Sequence, residues 1–280
     1  MKIKTDAQPF LKWAGGKRQL LPEIRKYVPK QFDTYYEPFV GAGAVLFDLQ
    51  PKKAMINDIN VELVNTYQVI REHVDELVET LKKHKNDKDY YYHIRNLDRT
   101  AEFHQLSMIE RSARMIYLNK TCFNGLYRVN RQGQFNVPYG KYKNPNIVNE
   151  EVLRAVHHYL TNNDITILNV DFVQAVETAK AGDFIYFDPP YDPVSETASF
   201  TSYSLGGFDR DDQLRLRDLF IELHERGCYV LLSNSATEFI QDIYADFHVE
   251  LVSASRAINS VASKRGKIAE VLVRNYECYE

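Results

Sequence analysis

Short apolar runs punctuate the chain at Tyr35-Tyr36, Ala54-Met55-Ile56, 165–170, Phe184-Ile185-Tyr186-Phe187 and 229–233. They predict strands of a mostly parallel sheet, with 249–253 and 268–276 as an antiparallel pair at its edge. Helical periodicity covers 209–226, which Gly227 stops, and begins at Ala44 and near Leu20. From 61 to about 163 the pattern changes to long amphipathic helices, 61–85 and 107–119, followed by a hairpin over 127–137 that turns at Gln132-Gly133. The fold expected is therefore α/β, a Rossmann-like sheet interrupted by a mainly helical insert that carries the hairpin. The boundaries read as 1–62 for the first part of the sheet domain, 63–163 for the insert and 164–280 for the second part.

Length and composition agree with one large domain or a domain with an insert: 280 residues, 44% hydrophobic. No apolar run approaches the roughly 18 residues of a membrane helix, and Met1-Lys2-Ile3-Lys4-Thr5-Asp6 is not a signal peptide. Cys122, Cys228 and Cys278 are widely spaced, which implies neither a disulfide framework nor a zinc site; no metal is expected, and a reducing cytoplasm is the default. The net charge of −3 argues against a nucleic-acid partner until its distribution is considered. Between 111 and 149 stand Arg111, Arg114, Lys120, Arg128, Arg131, Lys141 and Lys143 without a single acid, interleaved with Tyr117, Phe123, Tyr127, Phe135, Tyr139 and Tyr142. Cations for phosphates and aromatics for exposed bases suit opened DNA, against the plainer reading of a solvated basic face. A second acid-free stretch, 253–269, holds Arg256, Lys264, Arg265 and Lys267.

Candidate chemistry concentrates where strands end. Asp188-Pro189-Pro190-Tyr191 follows an apolar run directly. The prolines fix φ and remove donors, so the acid and neighbouring carbonyls remain as acceptors beside an aromatic ring. That set suits a planar group with an exocyclic amine, two N–H donors and a face to stack; a simple proline turn is the plainer alternative. Upstream, Glu37-Pro38-Phe39-Val40-Gly41-Ala42-Gly43 places two glycines where backbone approaches a ligand, but lacks the third glycine of a dinucleotide site. Asp58 lies 21 residues after Glu37, a spacing that reaches a ribose, although it also suits a helix N-cap. A nucleoside-bearing cofactor other than NAD is favoured. Phe10-Leu11-Lys12-Trp13-Ala14-Gly15-Gly16-Lys17-Arg18 lacks the Walker spacing and its Ser or Thr, which disfavours a nucleoside triphosphate. For Trp13 a helix staple and for Lys17 a surface lysine are the plain readings.

In that order, Phe-Leu-Lys-Trp-Ala-Gly-Gly-Lys, Glu-Pro-Phe-Val-Gly-Ala-Gly, Asn-Asp-Ile-Asn and Asp-Pro-Pro-Tyr resemble the Dam-type DNA adenine-N6 methyltransferases. Asn124-Gly125-Leu126-Tyr127-Arg128 and Phe135-Asn136-Val137-Pro138-Tyr139-Gly140-Lys141-Tyr142 add to the match, which runs from Phe10 to Tyr276. The resemblance implies S-adenosylmethionine as cofactor, bound by Trp13, Lys17, Glu37, Phe39, Gly41, Gly43, Asp58, Asp171, Phe172 and Asp188. It also implies methylation of N6 in a flipped adenine of double-stranded DNA, with Asp188, Pro189 and Tyr191 as the catalytic set and the insert as target-recognition domain. GATC is the expected site, with Lys12, Phe123, Asn124, Leu126, Arg128, Asn136, Pro138 and Arg256 on the DNA. Arg128 presents a fork to guanine O6 and N7, against the alternative of a phosphate contact. A monomer with no obligate protein partner is expected. The rival readings are a restriction-system enzyme with a longer GAT-containing site, an enzyme acting on RNA or another exocyclic amine, and a catalytically silent DNA-binding homologue.

Overall fold

The structure is a computed structural model that describes residues 6–13, 15–194, 207–255 and 267–277. Within them seven strands form one sheet: β1 (Tyr35–Glu37), β2 (Lys53–Asn57), β3 (Asp164–Leu168), β4 (Phe184–Phe187), β5 (Tyr229–Ser235), β6 (His248–Ser255) and β7 (Lys267–Arg274). Their order is β3-β2-β1-β4-β5-β7-β6, with the first five parallel and β7 antiparallel to β5 and β6. Chain order reverses between β1 and β4, and at such a switch point the carboxyl ends of the strands open a crevice for ligands.

Helices in chain order are α1 (Leu21–Tyr27), α2 (Ala44–Leu49), α3 (Val61–Glu72), α4 (Val74–Lys82), α5 (Lys88–Asn96), α6 (Met108–Thr121), α7 (Glu150–Asn162), α8 (Arg210–Glu225) and α9 (Glu238–Ile243). Both faces of the sheet are covered, which is why its strands read as unbroken apolar runs. Tyr35, Phe184, Tyr186 and Leu231 point into one core, shared with residues of α1, α2, α3, α4, α6 and α7. Tyr36, Ile185, Phe187, Val230 and Leu232 point into the other, under α8 and α9. Helix starts follow local chemistry. Ser107 and Glu110 form a capping box on α6, as Asp209 and Asp212 do on α8. No described helix is long and apolar enough to cross a membrane.

The helix expected over 61–85 is two helices. His73 leaves the helical region at φ −139° and ψ 41°, so α3 stops there and α4 starts anew. Over 127–137 the expected hairpin has one isolated antiparallel bridge, Val129 to Phe135. Backbone bonds flank it, from the Asn130 amide to the Gln134 carbonyl at 2.9 Å and from the Asn136 amide to the Arg128 carbonyl at 3.0 Å, and side chains add to them. Asn130 Oδ1 accepts from the Gln132 and Gln134 amides at 3.0 and 2.9 Å, Asp98 Oδ2 accepts from the Phe135 amide at 2.8 Å, and Arg99 donates to the Phe135 carbonyl at 2.8 Å. The turn keeps its glycine, with Gly133 at φ +76°. A third, smaller core joins Tyr91, Ile94, Tyr117, Leu118, Cys122, Phe135 and Val137.

Candidate active site

Asp188 leaves the carboxyl end of β4 at the edge of the crevice. Its Oδ1 accepts from Lys17 Nζ at 2.7 Å and from Ser233 Oγ at 3.0 Å. Ser233 lies on the neighbouring β5 and is itself hydrogen-bonded to the Tyr186 hydroxyl at 2.9 Å. Burial raises the Asp188 carboxyl above its usual range, and the Lys17 ammonium opposes that rise. Lys17 is 5% exposed, so the surface-lysine reading fails: its Nζ also donates to the Gly15 carbonyl at 2.6 Å and stands 4.7 Å from the centre of the Tyr191 ring. The Tyr191 hydroxyl donates to Glu270 Oε2 at 2.8 Å.

The proline turn is braced from behind. Gln213 Nε2 donates to the Pro190 carbonyl at 2.9 Å, and Asn234 Nδ2 donates to Gln213 Oε1 at 3.0 Å. The buried Asp192 carboxylate accepts from Thr237 Oγ1 at 2.7 Å and Arg210 Nε at 3.2 Å, while its amide donates to Asn234 Oδ1 at 3.1 Å. Among the described residues, no hydrogen bond reaches the Pro189 carbonyl or Asp188 Oδ2. Two acceptors therefore stand open beside an aromatic ring, on a backbone held rigid by its neighbours.

At the end of β1, the glycine turn is built by packing as well as by conformation. Gly41 and Gly43 have φ of +51° and +72°, where a side chain is strained. A Cβ on Gly41 would stand 2.9 Å from the Trp13 ring, and one on Gly43 would stand 2.7 Å from the Tyr67 hydroxyl and 2.8 Å from Phe47. Trp13 is thus a wall of the glycine turn, and on its other contact it stacks on Tyr127 at 5.1 Å. Asp58 is not the helix N-cap; Asn60 takes that role by accepting from the Glu62 and Leu63 amides. Asp58 instead ties the two loops, accepting from the Gly41 amide at 3.1 Å and the Asn60 amide at 2.9 Å. Burial lifts its carboxyl to about 6 against those two bonds.

Glu37, 2% exposed, accepts from the Tyr35 hydroxyl at 2.8 Å. Burial pushes its carboxyl up to about 8, with the Asp188 charge adding to the rise and the Leu46 amide opposing it. Beyond β3, Asp171 accepts from Arg215 at 3.1 Å and from the Val173 amide at 3.0 Å. Phe172 packs on Phe39 at 5.5 Å and on Phe208 at 5.8 Å, at the margin of the second core.

A second group of residues converges on the same rim. Asn119 clamps Lys12 through both backbone groups, at 2.9 and 2.7 Å, and also holds the Gly125 carbonyl at 3.0 Å. This brings Lys12 from the N-terminal motif against the Asn124-Gly125 turn, and Lys12 Nζ lies 5.2 Å from the Tyr142 ring centre. Asn124 holds φ +56° there. Lys120 is lowered to about 8 by burial and by the charges of Lys12 and Arg18. Phe123 is 48% exposed, and Pro138 is exposed beside it, its carbonyl accepting from the Phe123 amide at 2.8 Å. Leu126 is half-buried. Arg128 is exposed, its Nε donating to Asn136 Oδ1 at 2.7 Å and its Nη2 to the Asn136 carbonyl at 3.3 Å.

Part of the basic, aromatic window does other work. Arg111 pairs with Glu62, and Arg114 is buried against Asp98 at 2.8 Å, so acids outside the window neutralise two of its cations. Tyr117 and Phe135 are buried and Tyr139 is half-buried, which leaves Phe123 as the exposed large ring of the set. Arg256, Lys264 and Arg265 lie outside the described residues.

Ser233, Glu270, Asp192, Gln213 and Asn234 did not emerge from the sequence. Their signals were present: Ser233-Asn234-Ser235 ends an apolar strand with three polar residues, and Glu270 interrupts an apolar one.

A mixed α/β sheet of this order, with a carboxylate-lined crevice at its switch point, is consistent with a methyltransferase fold. Residues 13–258 match the family of D12 class N6 adenine-specific DNA methyltransferases. The chain belongs to that family. It is 48% identical over 277 residues to a type II methyltransferase of Lactococcus lactis subsp. cremoris, covering 98% of both chains. To a type II methyltransferase of Methanocaldococcus jannaschii it is 43% identical over 291 residues, covering 97% of this chain and all of the other. A DNA adenine methylase of Haemophilus influenzae is 35% identical over 278 residues, covering 97% and 95%.

Proposed function

We propose that this adenine-specific DNA methyltransferase uses S-adenosylmethionine to methylate N6 of an adenine flipped out of duplex DNA, within GATC. The observation that carries the reading is Asp188, held through Oδ1, with its Oδ2 and the Pro189 carbonyl open among the described residues next to Tyr191. The adenine amine is a poor nucleophile because its lone pair is delocalised into the ring. Asp188 and the Pro189 carbonyl accept its two N–H bonds and draw the lone pair back onto nitrogen, while Tyr191 stacks on the base and holds it in line.

The residues at the crevice fit the cofactor. Asp58 and Asp188 together bring more negative charge than Lys17 offsets, which suits a donor whose reactive atom is positive. Asp58 would hold the ribose, Gly41 and Gly43 the methionine portion with Trp13, Lys17 and Glu37 behind them, and Phe39, Asp171 and Phe172 the adenine. When bound, S-adenosylmethionine supplies a methyl group already activated on sulfonium; the chain's residues orient acceptor and donor.

Residues 63–163 act as the target-recognition unit in this reading, seated on the first core through α3, α4, α6 and α7, with the third core supporting the segment that bears Phe123 and Arg128. The Lys12, Arg18 and Lys120 charges crowd one another, as cations awaiting phosphates do. Arg128, preset by Asn136, reads a guanine; Asn124, Leu126 and Pro138 contact neighbouring bases; Phe123 fills the gap the adenine leaves. The enzyme works on double-stranded DNA as a cytoplasmic monomer. The names of the two nearest relatives reported above favour a second reading, the methylating half of a restriction system.

The test is transfer of labelled methyl groups to duplexes carrying GATC and each single-base change in it. Wild type is expected to modify GATC alone, and Asp188→Ala to lose more than about a hundredfold in single-turnover rate while binding DNA normally. Arg128→Ala is expected to relax discrimination at one guanine by about ten- to a hundredfold. Equal loss on every sequence would make Arg128 a phosphate contact, and a wild type indifferent to GATC would overturn the site.

A further inference from the structure

Glu270 stands in an otherwise apolar stretch of β7, between Ala269 and Val271, and is 6% exposed. It is paired with Ser235 on one side and Val252 on the other, in the interior of the sheet. A carboxylate there is costly to bury, and among the described residues it forms no ion pair with a cation. Its hydrogen bond is to the Tyr191 hydroxyl, at 2.8 Å. A tyrosine ring turns about two torsions; a bond at its hydroxyl fixes where the ring stands and, because the O–H bond prefers the ring plane, biases its tilt. The same bond places negative charge at the phenol oxygen and makes the ring face more attractive to positive charge. The Lys17 ammonium already exploits that face, 4.7 Å from its centre.

We infer that Glu270 is a positioning residue for methyl transfer, acting through Tyr191: it holds the ring at the angle that receives the target base. The inference rests on the reading of Tyr191 as the stacking residue. It also assigns Glu270 an electrostatic part. As the adenine nitrogen bonds to the methyl carbon and the methyl–sulfur bond breaks to leave a neutral thioether, positive charge passes to the base until an N6 proton is lost to solvent, and a phenol ring polarised by a carboxylate stabilises that charge more than an unassisted ring does. The effect belongs to the chemical step and leaves ground-state binding of DNA and cofactor nearly unchanged.

The experiment compares single-turnover rates at saturating S-adenosylmethionine, on the duplex that wild type methylates best, for Glu270→Ala, Glu270→Gln, Tyr191→Phe, Tyr191→Ala and the Glu270→Ala/Tyr191→Phe double variant. Thermal melts accompany each, so that loss of fold is recognised. Glu270→Ala and Tyr191→Phe are each expected to slow transfer about ten- to a hundredfold, with dissociation constants for DNA and cofactor within about twofold of wild type. Glu270→Gln keeps an acceptor for the hydroxyl and is expected to recover part of the rate. The double variant is expected to be no slower than the worse single one, because both remove the same bond. Losses that multiply in the double variant, or a Glu270→Ala enzyme as fast as wild type, overturn the inference. If Tyr191→Ala itself transfers at the wild-type rate, the stacking role of Tyr191 falls instead.

Discussion

Replacing Lys17 by methionine removes the ammonium from Asp188 while keeping the length and most of the volume of the side chain. The two groups meet at 2.7 Å, with Lys17 buried. Burial drives the Asp188 carboxyl upward, the Glu270 charge adds to the rise, and Lys17 is the largest influence holding it down. An opposite charge at this range lowers a carboxyl by about 1–3 units, so its loss raises Asp188 by a similar amount. Only the ionised carboxylate can accept both the Ser233 hydroxyl and an amine N–H without offering a proton of its own. Activity on the acid side therefore requires Asp188 to be charged, and the acid limb of the rate profile moves to higher pH in Lys17→Met. At pH below both titrations the variant is expected to lose about ten- to a thousandfold against wild type, and at alkaline pH to recover most of it. Single-turnover methylation measured from pH 5.5 to 9.5 reads the shift directly. Breaking a buried pair also costs stability, about 3–5 kcal/mol if the carboxylate stays charged, less as it takes up a proton. Melting curves at each pH separate that loss from the chemical one. If Lys17→Met lowers the rate by one constant factor across the range, Asp188 does not act through its charge and the mechanism is wrong.

Glu37 gives the converse pH signature, in stability. Unfolded, its carboxyl ionises near the ordinary value; folded, it keeps its proton up to about 8. That contribution is complete at acid pH and is lost as pH rises through 8, at about 1.4 kcal/mol per unit between the two values. From pH 6 to pH 8 wild type is expected to lose roughly 2–3 kcal/mol relative to Glu37→Gln, whose amide does not titrate; denaturant unfolding at both pH values checks this, and parallel behaviour refutes it. Asp58→Ala frees the Gly41 and Asn60 amides and removes the proposed ribose acceptor. Calorimetry is expected to show S-adenosylmethionine binding weakened by about 1.5–3 kcal/mol, and unchanged affinity would reduce Asp58 to a brace between two loops.

Most of the sheet and half of the site were legible because strands buried on both faces leave unbroken apolar runs, and because the prolines and glycines mark turns by their own stereochemistry. Asp188, Gly41, Gly43 and Asp58 all sit where such a run stops. Charge was less legible. An acid-free window promised seven cations for DNA, but Glu62 and Asp98 reach Arg111 and Arg114 from outside it, and pairing across helices leaves no trace in linear spacing. The long helix over 61–85 failed for a similar reason: each half is amphipathic, and nothing in the period marks His73 as the break. Glu270 is the instructive case. A lone acid in an apolar strand announces a reason to be there, but not which face of the sheet it serves. That is a matter of register. Because β7 pairs Glu270 with Ser235, its carboxylate meets Tyr191; a slip of one residue would turn it to the opposite face and leave Ala269 or Val271 beside the phenol. The apolar residues on either side suit both covered faces, so it is Glu270 itself that disfavours the slip: turned to the opposite face, its carboxylate would be buried away from the Tyr191 hydroxyl that now satisfies it.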